Sequence, residues 1–565
     1  MVRRLWPLLV LLTALRGASA QPAKQTIAIP MRDGATLAAD LYMPPDHSEE
    51  AFPDGIPVIL VCTPYNKDQA GPIEYWRQTF LGNGYAFCVE DMRGFYASAD
   101  AGQGQPRHND GYDTIEWLAA QKWCNGKVGM LGYSHLGAAQ YEAAVTDPPS
   151  LACAIPAQAP GNYYTDSLYP PVFRKADYET LLRGPFTQRT PQLINRRIRS
   201  YGTSQISSFN VPMTHSAGWF DFYKEGAVEI FRACQEHGGP EAQGNQKLII
   251  GPWGHGVLQE QDPGKPLVLP GGVTFPASAK PDWPKEVWLP WFDHWLKGVE
   301  NGVMEQPPVR YYLMGAAGEP RAPGNTWVSA LDFPPDTSEV AFFAHEDGSL
   351  RHRPSDDEET SVSYRYDPRD PVPTVGRVHA QMPVTGPHDQ RPVEDRADVL
   401  LFTTEPLETP LTIVGQVRVV LYGASDRTDT DFTAKLTDVY PDGRSMIFLD
   451  GIVKGRYRDG FLQDALLAPA EVYEFEIDLG YIAIAIAPGH RLRLALSSSN
   501  FDRFDINPNT GEAYGDHAVT RALIAERLRG ETPGGEPQYA EALVANNTVF
   551  MDRARPTRVI LPVLP

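Results

Sequence analysis

Four short, almost unbroken apolar runs stand early in this chain, with segments of helical spacing between them. They are PVILVCTPY (57–65), YAFCVED (85–91), KVGMLGY (127–133) and ACAIPAQ (152–158). A strand with one face in water alternates apolar and polar residues. These do not, so they fit strands covered on both faces, as in a parallel sheet. Between them, the segment 110–121 sets Tyr112, Ile115, Leu118 and Ala119 on one side of a helix. The small residues Gly137, Ala138, Ala139, Ala143 and Ala144 predict another helix, narrow enough to lie close on a sheet. Strand–helix alternation of this kind predicts an α/β doubly wound domain. Ahead of it, MRDGATL places an Asp33-Gly34 turn between two alternating runs and predicts an opening hairpin.

The pattern breaks over 161–208, where aromatics, prolines and arginines mix with only local helical spacing, so this segment reads as an insertion. Strand signals return at VPMTHSAG (211–218) and QKLIIGP (246–252). Helices are expected over 224–234 and 286–296. Past about residue 302 the period changes to two. Tyr473, Phe475, Ile477 and Leu479 alternate with Glu474, Glu476 and Asp478, and Leu492, Leu494 and Leu496 alternate with arginines. With turns such as YPDGR (440–444), this predicts an antiparallel β-sandwich or jelly roll. The expected units are therefore 1–20, 24–160, 161–208, 209–302 and 303–565.

Length and composition agree with a multidomain globular chain: 565 residues, 42% hydrophobic and 21% charged. A formal charge of −20 argues against nucleic acid or anionic membrane as partners, since both would repel it. The first twenty residues combine Arg3 and Arg4, an apolar stretch from Leu5 to Leu15, and Ala18-Ser19-Ala20. That is the three-part form of a cleaved export signal, so a periplasmic or secreted mature protein is expected. Five cysteines leave at least one free thiol, and Cys62, Cys88 and Cys153 read as small buried hydrophobes. No C-x-x-C occurs, and neither a metal nor an organic cofactor is expected.

The chemistry starts at GYSHLG (132–137). A strand, a sharp turn carrying Ser134 and a helix form the arrangement that presents a nucleophilic serine, usually written G-x-S-x-G. Here Leu136 stands where the second glycine is expected and Gly137 comes one residue late. A serine hydroxyl needs a base, a group that orients the base, and donors for the developing oxyanion. Asp221, in SAGWFDFY, and His255, in IIGPWGHG, follow successive strands in the chain order serine, acid, histidine. His215 lies inside a strand, His294 on an amphipathic helix, and His135 beside the serine. His255, on a loop after a strand, is better placed than any of these to act as the base. The backbone N–H of His135 is nevertheless the expected first oxyanion donor.

GYSHLG, GWFDFY and GPWGHG, with TPYNK (63–67) and DMRG (91–94) upstream, resemble the X-Pro dipeptidyl-peptidase and cocaine esterase family of α/β-hydrolases. LLFTTEPL, DFTAKLTDVYPDGR and LSSSNFDRFDINPNTGE resemble that family's C-terminal, galactose-binding-like jelly roll. The late glycine is the family's own G-x-S-x-x-G form. The resemblance implies Ser134 as nucleophile, Asp221 as acid, His255 as base, and the Tyr65 hydroxyl as second oxyanion donor beside the His135 N–H. It also makes 161–208 a mostly helical cap. Asp91 and Arg93 match the family too and are expected to be structural, because buried charges persist mainly when paired.

Three readings stay open from sequence. The first is an esterase or acylase. The second is an X-Pro dipeptidyl-peptidase, for which Asp166, Asp177 or Glu179 of the cap would clamp a free amino terminus. The third is a surface ligand-binding protein with a vestigial hydrolase domain. The expected partners are small esters, amides or short peptides, with no membrane contact after signal removal; self-association is left open.

Overall fold

The computed structural model describes residues 24–69, 72–102, 107–161, 203–256, 264–270, 272–376, 385–460, 464–501, 503–504, 506–511 and 542–565. The expected export signal (1–20) lies outside the described residues, as does most of the expected cap, with Asp166, Asp177 and Glu179.

The opening hairpin forms where the Asp-Gly turn places it, from β1 (Lys24–Pro30) and β2 (Thr36–Tyr42). The four apolar runs become β3 (Ile56–Thr63), β4 (Ala86–Asp91), β5 (Cys124–Tyr133) and β6 (Leu151–Ala157). β7 (Met213–Phe220) and β8 (Gln246–Gly254) follow, then a short hairpin of β9 (Leu267–Val268) and β10 (Thr274–Phe275). β11 (Val309–Leu313) and β12 (Thr326–Ala330) come next. One ten-stranded sheet takes the order β1–β2–β4–β3–β5–β6–β7–β8–β11–β12, and it is parallel from β4 through β11. The sheet thus takes in strands beyond residue 302, because β11 pairs alongside β8.

Helices α1 (Pro72–Leu81), α2 (Arg107–Ala119), α3 (His135–Ala144), α4 (Lys224–His237) and α5 (Leu289–Lys297) cover the sheet. Two separate apolar clusters result. One gathers Trp76 and Phe80 of α1 with Phe292 and Leu296 of α5; the other gathers Ile115 and Leu118 of α2 with Tyr141 and Ala143 of α3. Small residues permit the close approach. A Cβ on Gly111 would come within 2.8 Å of the Ala143 Cβ, and one on Gly129 within 2.8 Å of the Phe292 ring. This is why both faces of β3–β6 are apolar.

The C-terminal region is built almost entirely of strands. β13 (Ser338–Ala344), β14 (Leu350–Arg351), β15 (Ser361–Tyr366), β17 (Leu411–Ser425), β20 (Tyr473–Ile486), β22 (Ala545–Phe550) and β23 (Arg558–Val563) form one antiparallel sheet. β16 (Leu400–Thr403), β18 (Asp431–Val439), β19 (Ser445–Lys454) and β21 (Arg491–Ser497) form a second. The two-residue alternation of β20 buries Phe475, Ile477 and Leu479 and exposes Glu474, Glu476 and Asp478. Phe475 meets Phe432 of the other sheet at a ring separation of 4.8 Å. YPDGR makes the β18–β19 turn, with Tyr440 N–H donating to the Arg444 carbonyl at 2.8 Å. Met314, just past β11, exchanges backbone hydrogen bonds with Ala483 and Ala485 of β20, and one apolar core runs through both regions.

All five cysteines are free thiols. Burial pushes the thiols of Cys62, Cys88 and Cys153 well above their ordinary pKa, as for small hydrophobes. Among the described residues no helix is long and apolar enough to cross a membrane, and no group of three or more His, Cys, Asp or Glu side chains is gathered to hold a metal.

Candidate active site

Ser134 sits between β5 and α3 with φ 58° and ψ −126°, a backbone conformation that a side chain adopts only under strain. Its own N–H donates to the carbonyls of Ala157 and Gln158 at 2.9 and 3.2 Å, which ties the turn to the end of β6. The unusual glycine spacing has a steric cause. A Cβ on Gly132 would come within 2.5 Å of the Leu136 Cβ, and one on Gly137 within 2.6 Å of the Ala159 Cβ. Leu136 is buried, so the bulk at the fifth position of the motif turns into the core, while the glycine falls where α3 meets β6.

Asp221 and His255 come from the ends of β7 and β8, next to β6 in the sheet. His255 Nε2 lies 2.9 Å from Ser134 Oγ, and Nδ1 lies 3.3 and 3.2 Å from the two carboxylate oxygens of Asp221. The carboxylate only accepts, so Nδ1 carries the hydrogen and Nε2 is left to accept from the serine hydroxyl. Asp221 is 1% exposed and also accepts from the Tyr223 N–H at 2.9 Å. Phe222 lies against the imidazole at a ring separation of 4.4 Å, and Tyr223 meets it edge-on at 5.5 Å. These rings limit how the imidazole can turn.

Tyr65 follows β3, and its hydroxyl meets both Ser134 and the backbone N–H of His135. Burial raises its pKa, with those two hydrogen bonds acting the other way, so the phenol stays a neutral donor at ordinary pH. Asp91, fully buried, accepts from the Lys67 N–H at 2.7 Å and the Ala97 N–H at 3.1 Å. It thereby fixes the loop that carries Tyr65. Arg93 pairs with Asp110 at 2.8 Å and with Asp33 at 3.2 Å. TPYNK and DMRG are therefore coupled: the second motif holds the first in place.

The other three candidate histidines stand apart from this chain of bonds. His215 is buried between Tyr141 and Gln246, at 2.9 and 3.0 Å, and burial lowers its pKa to about 4. His294 contacts the Val299 carbonyl at the end of α5. The His135 ring faces Tyr65 edge-on, with centroids 6.4 Å apart. Two contributors were missed by sequence reasoning: Phe222, and Gln158 at the end of β6. Phe222 carries no sequence signal beyond following Asp221. Gln158 carries one, a polar side chain ending an apolar parallel strand, where functional loops begin.

Comparison with known proteins gives the family and the fold. The family model for the X-Pro dipeptidyl-peptidase (S15 family) matches residues 33–190 and 187–257, and that for the X-Pro dipeptidyl-peptidase C-terminal non-catalytic domain matches 301–560. A cocaine esterase from Rhodococcus sp. (strain MB1 Bresler) is 29% identical over 95% of this chain and 98% of its own. Two solved structures share the fold. An aminopeptidase from a marine sediment Thaumarchaeota archaeon superposes with TM-score 0.76 at 21% identity, over 96% of this chain and 97% of its own. An alpha-amino acid ester hydrolase superposes with TM-score 0.74 at 23% identity, over 99% and 98%. The chain belongs to the X-Pro dipeptidyl-peptidase and cocaine esterase family of α/β-hydrolases, and it is a serine hydrolase of the esterase and peptidase class.

Proposed function

We propose that this protein is an exported esterase or acylase that cleaves small or aromatic acyl substrates through an acyl-enzyme on Ser134. The carrying observation is the Ser134–His255–Asp221 chain of hydrogen bonds with the Tyr65 hydroxyl and the His135 N–H beside the nucleophile. As Ser134 Oγ attacks the carbonyl carbon, His255 Nε2 takes its proton, and Asp221 stabilises the imidazolium. The negative charge that forms on the carbonyl oxygen meets the phenol and the amide N–H. The imidazolium then gives its proton to the leaving alcohol or amine. Water, deprotonated by the same nitrogen, releases the acid and restores Ser134.

Ester rather than peptide cleavage is favoured by the near-full-length likeness to an esterase. The X-Pro dipeptidyl-peptidase reading keeps support from the family model. Export is read from the N-terminal signal pattern, and a protein found only in the cytoplasmic fraction of its host would overturn it.

A panel of aryl and alkyl esters, lactams and Ala-Pro amides, run with wild type and Ser134→Ala, tests the assignment. The variant should lose about 10⁴-fold or more in kcat and should not label with a fluorophosphonate. A variant that still turns over or labels removes Ser134 as nucleophile. If Ala-Pro amides outrun both esters and N-blocked Ala-Pro amides, the peptidase reading replaces the esterase one. Wild type that neither labels nor hydrolyses anything on the panel favours the ligand-binding reading.

A further inference from the structure

We infer that Gln158 is the positioning residue that holds base and nucleophile in register. This rests on the roles proposed above for Ser134 and His255, and no motif assigns Gln158 any part. Gln158 is fully buried at the end of β6. Its side-chain Nε2 donates to the Gly254 carbonyl at 2.8 Å, and its Oε1 accepts from the Gly256 N–H at 3.0 Å. One amide therefore grips the backbone on both sides of His255.

The backbone of Gln158 completes the connection. Its carbonyl accepts from the Ser134 N–H at 3.2 Å, and its N–H donates to the Ser216 carbonyl of β7 at 2.7 Å. The strands that carry serine, acid and histidine thus all bond to one residue. Gln158 holds φ at +46°, left-handed backbone that glutamine rarely adopts. Such strain persists where surrounding bonds over-determine it, and here four bonds converge on the residue. The loop after β8 is rich in glycine, with Gly254 and Gly256 flanking the histidine, so the His255 backbone has little stiffness of its own. The Gln158 clamp supplies what the loop lacks. Loss of the clamp lets the imidazole drift, and a misplacement near 1 Å costs on the order of 10²-fold in rate.

Two substitutions test this in the full-length protein. Gln158→Asn keeps an amide and suits left-handed backbone better, but it is one methylene too short to reach both sides of His255. Expected are a melting temperature close to wild type, kcat lower by about 10²-fold and KM changed less than threefold. Gln158→Glu keeps the acceptor for Gly256 but turns an oxygen toward the Gly254 carbonyl. Its kcat relative to wild type should rise as pH falls, because the protonated carboxyl regains a donor, a trend that a purely structural role would not produce. A folded Gln158→Asn with kcat within threefold of wild type overturns the inference. So does a pH-independent ratio for Gln158→Glu, or failure of both variants to fold, which would make Gln158 a folding residue. If Ser134→Ala keeps its activity, it is the functional assignment of Ser134 that falls, and the two failures are told apart.

Discussion

Two sets of buried charges, one in each half of this molecule, are held in different ways. In the C-terminal sheets three buried cations are each matched to a carboxylate. Lys454 meets Asp431 at 2.8 Å, Arg456 meets Asp429 at 2.8 Å, and Arg503 meets Asp450 at 3.2 Å. Asn507 donates to both Asp429 and Asp431, and Asn500 to Asp450. In the hydrolase sheet, Asp221 faces the His255 imidazole at 3.2 Å. Glu90 is held by Thr114 and Cys62 rather than by a cation. A matched ion pair fixes one arrangement, whereas a carboxylate that accepts from one imidazole nitrogen turns the other nitrogen toward the Ser134 hydroxyl.

Lys454→Met tests the matched side with the largest stability effect expected. It leaves Asp431 buried without its cation beside Asp429, and the protein should lose about 3–5 kcal/mol in denaturant unfolding. The kcat of the folded fraction should stay near wild type. A comparable fall in kcat would show that the two regions are not separable in this way. Tyr65→Phe tests the reactive side. On the proposed mechanism the substitution removes one oxyanion donor and should lower kcat by about 10²–10³-fold, about 3–4 kcal/mol, with little change in melting temperature. An unchanged kcat removes the phenol from the mechanism.

Glu90→Gln gives the smallest effect and the most specific signature. Burial, with repulsion from Asp110, pushes the Glu90 carboxyl up to about 8. Below about pH 4.5 it is protonated in both folded and unfolded chains. As pH rises toward 8 the unfolded chain releases the proton first, so the folded state loses stability across that window. The glutamine variant should be more stable at pH 8 by about 1–3 kcal/mol, with a flatter stability–pH curve between 4.5 and 8. Equal slopes in the two proteins would mean that Glu90 ionises normally.

The parts of this architecture that were legible in the sequence are those set by short-range physics. Continuous apolar runs gave the parallel strands because helices cover both faces. Period-two alternation gave β20 and β21 because one side of each strand meets the opposite sheet. Ser134, Asp221 and His255 could be singled out because the chemistry demands one of each, at strand ends and in that chain order. Gln158 showed in the sequence only as a polar residue ending an apolar run; its bonds to the serine and histidine loops depend on β6 lying beside β7, and no local pattern encodes that adjacency. Nor could β11 and β12 be assigned to the first sheet, because their hydrophobicity is the same whichever sheet they join. The steric reason for the late glycine in GYSHLG was equally hidden, since it rests on Ala159 in a different segment.

The chain leaves the sheet after β6 and returns at β7, and it is there that the expected cap is inserted. The two strands are bonded to each other at this exit by the Gln158 N–H and the Ser216 carbonyl. That bond makes the exit a splice point. A change in the length of chain between β6 and β7 need not pull on the strands that carry Ser134, Asp221 and His255. A scaffold joined in this way tolerates an insertion at its exit while the strands on either side keep their register.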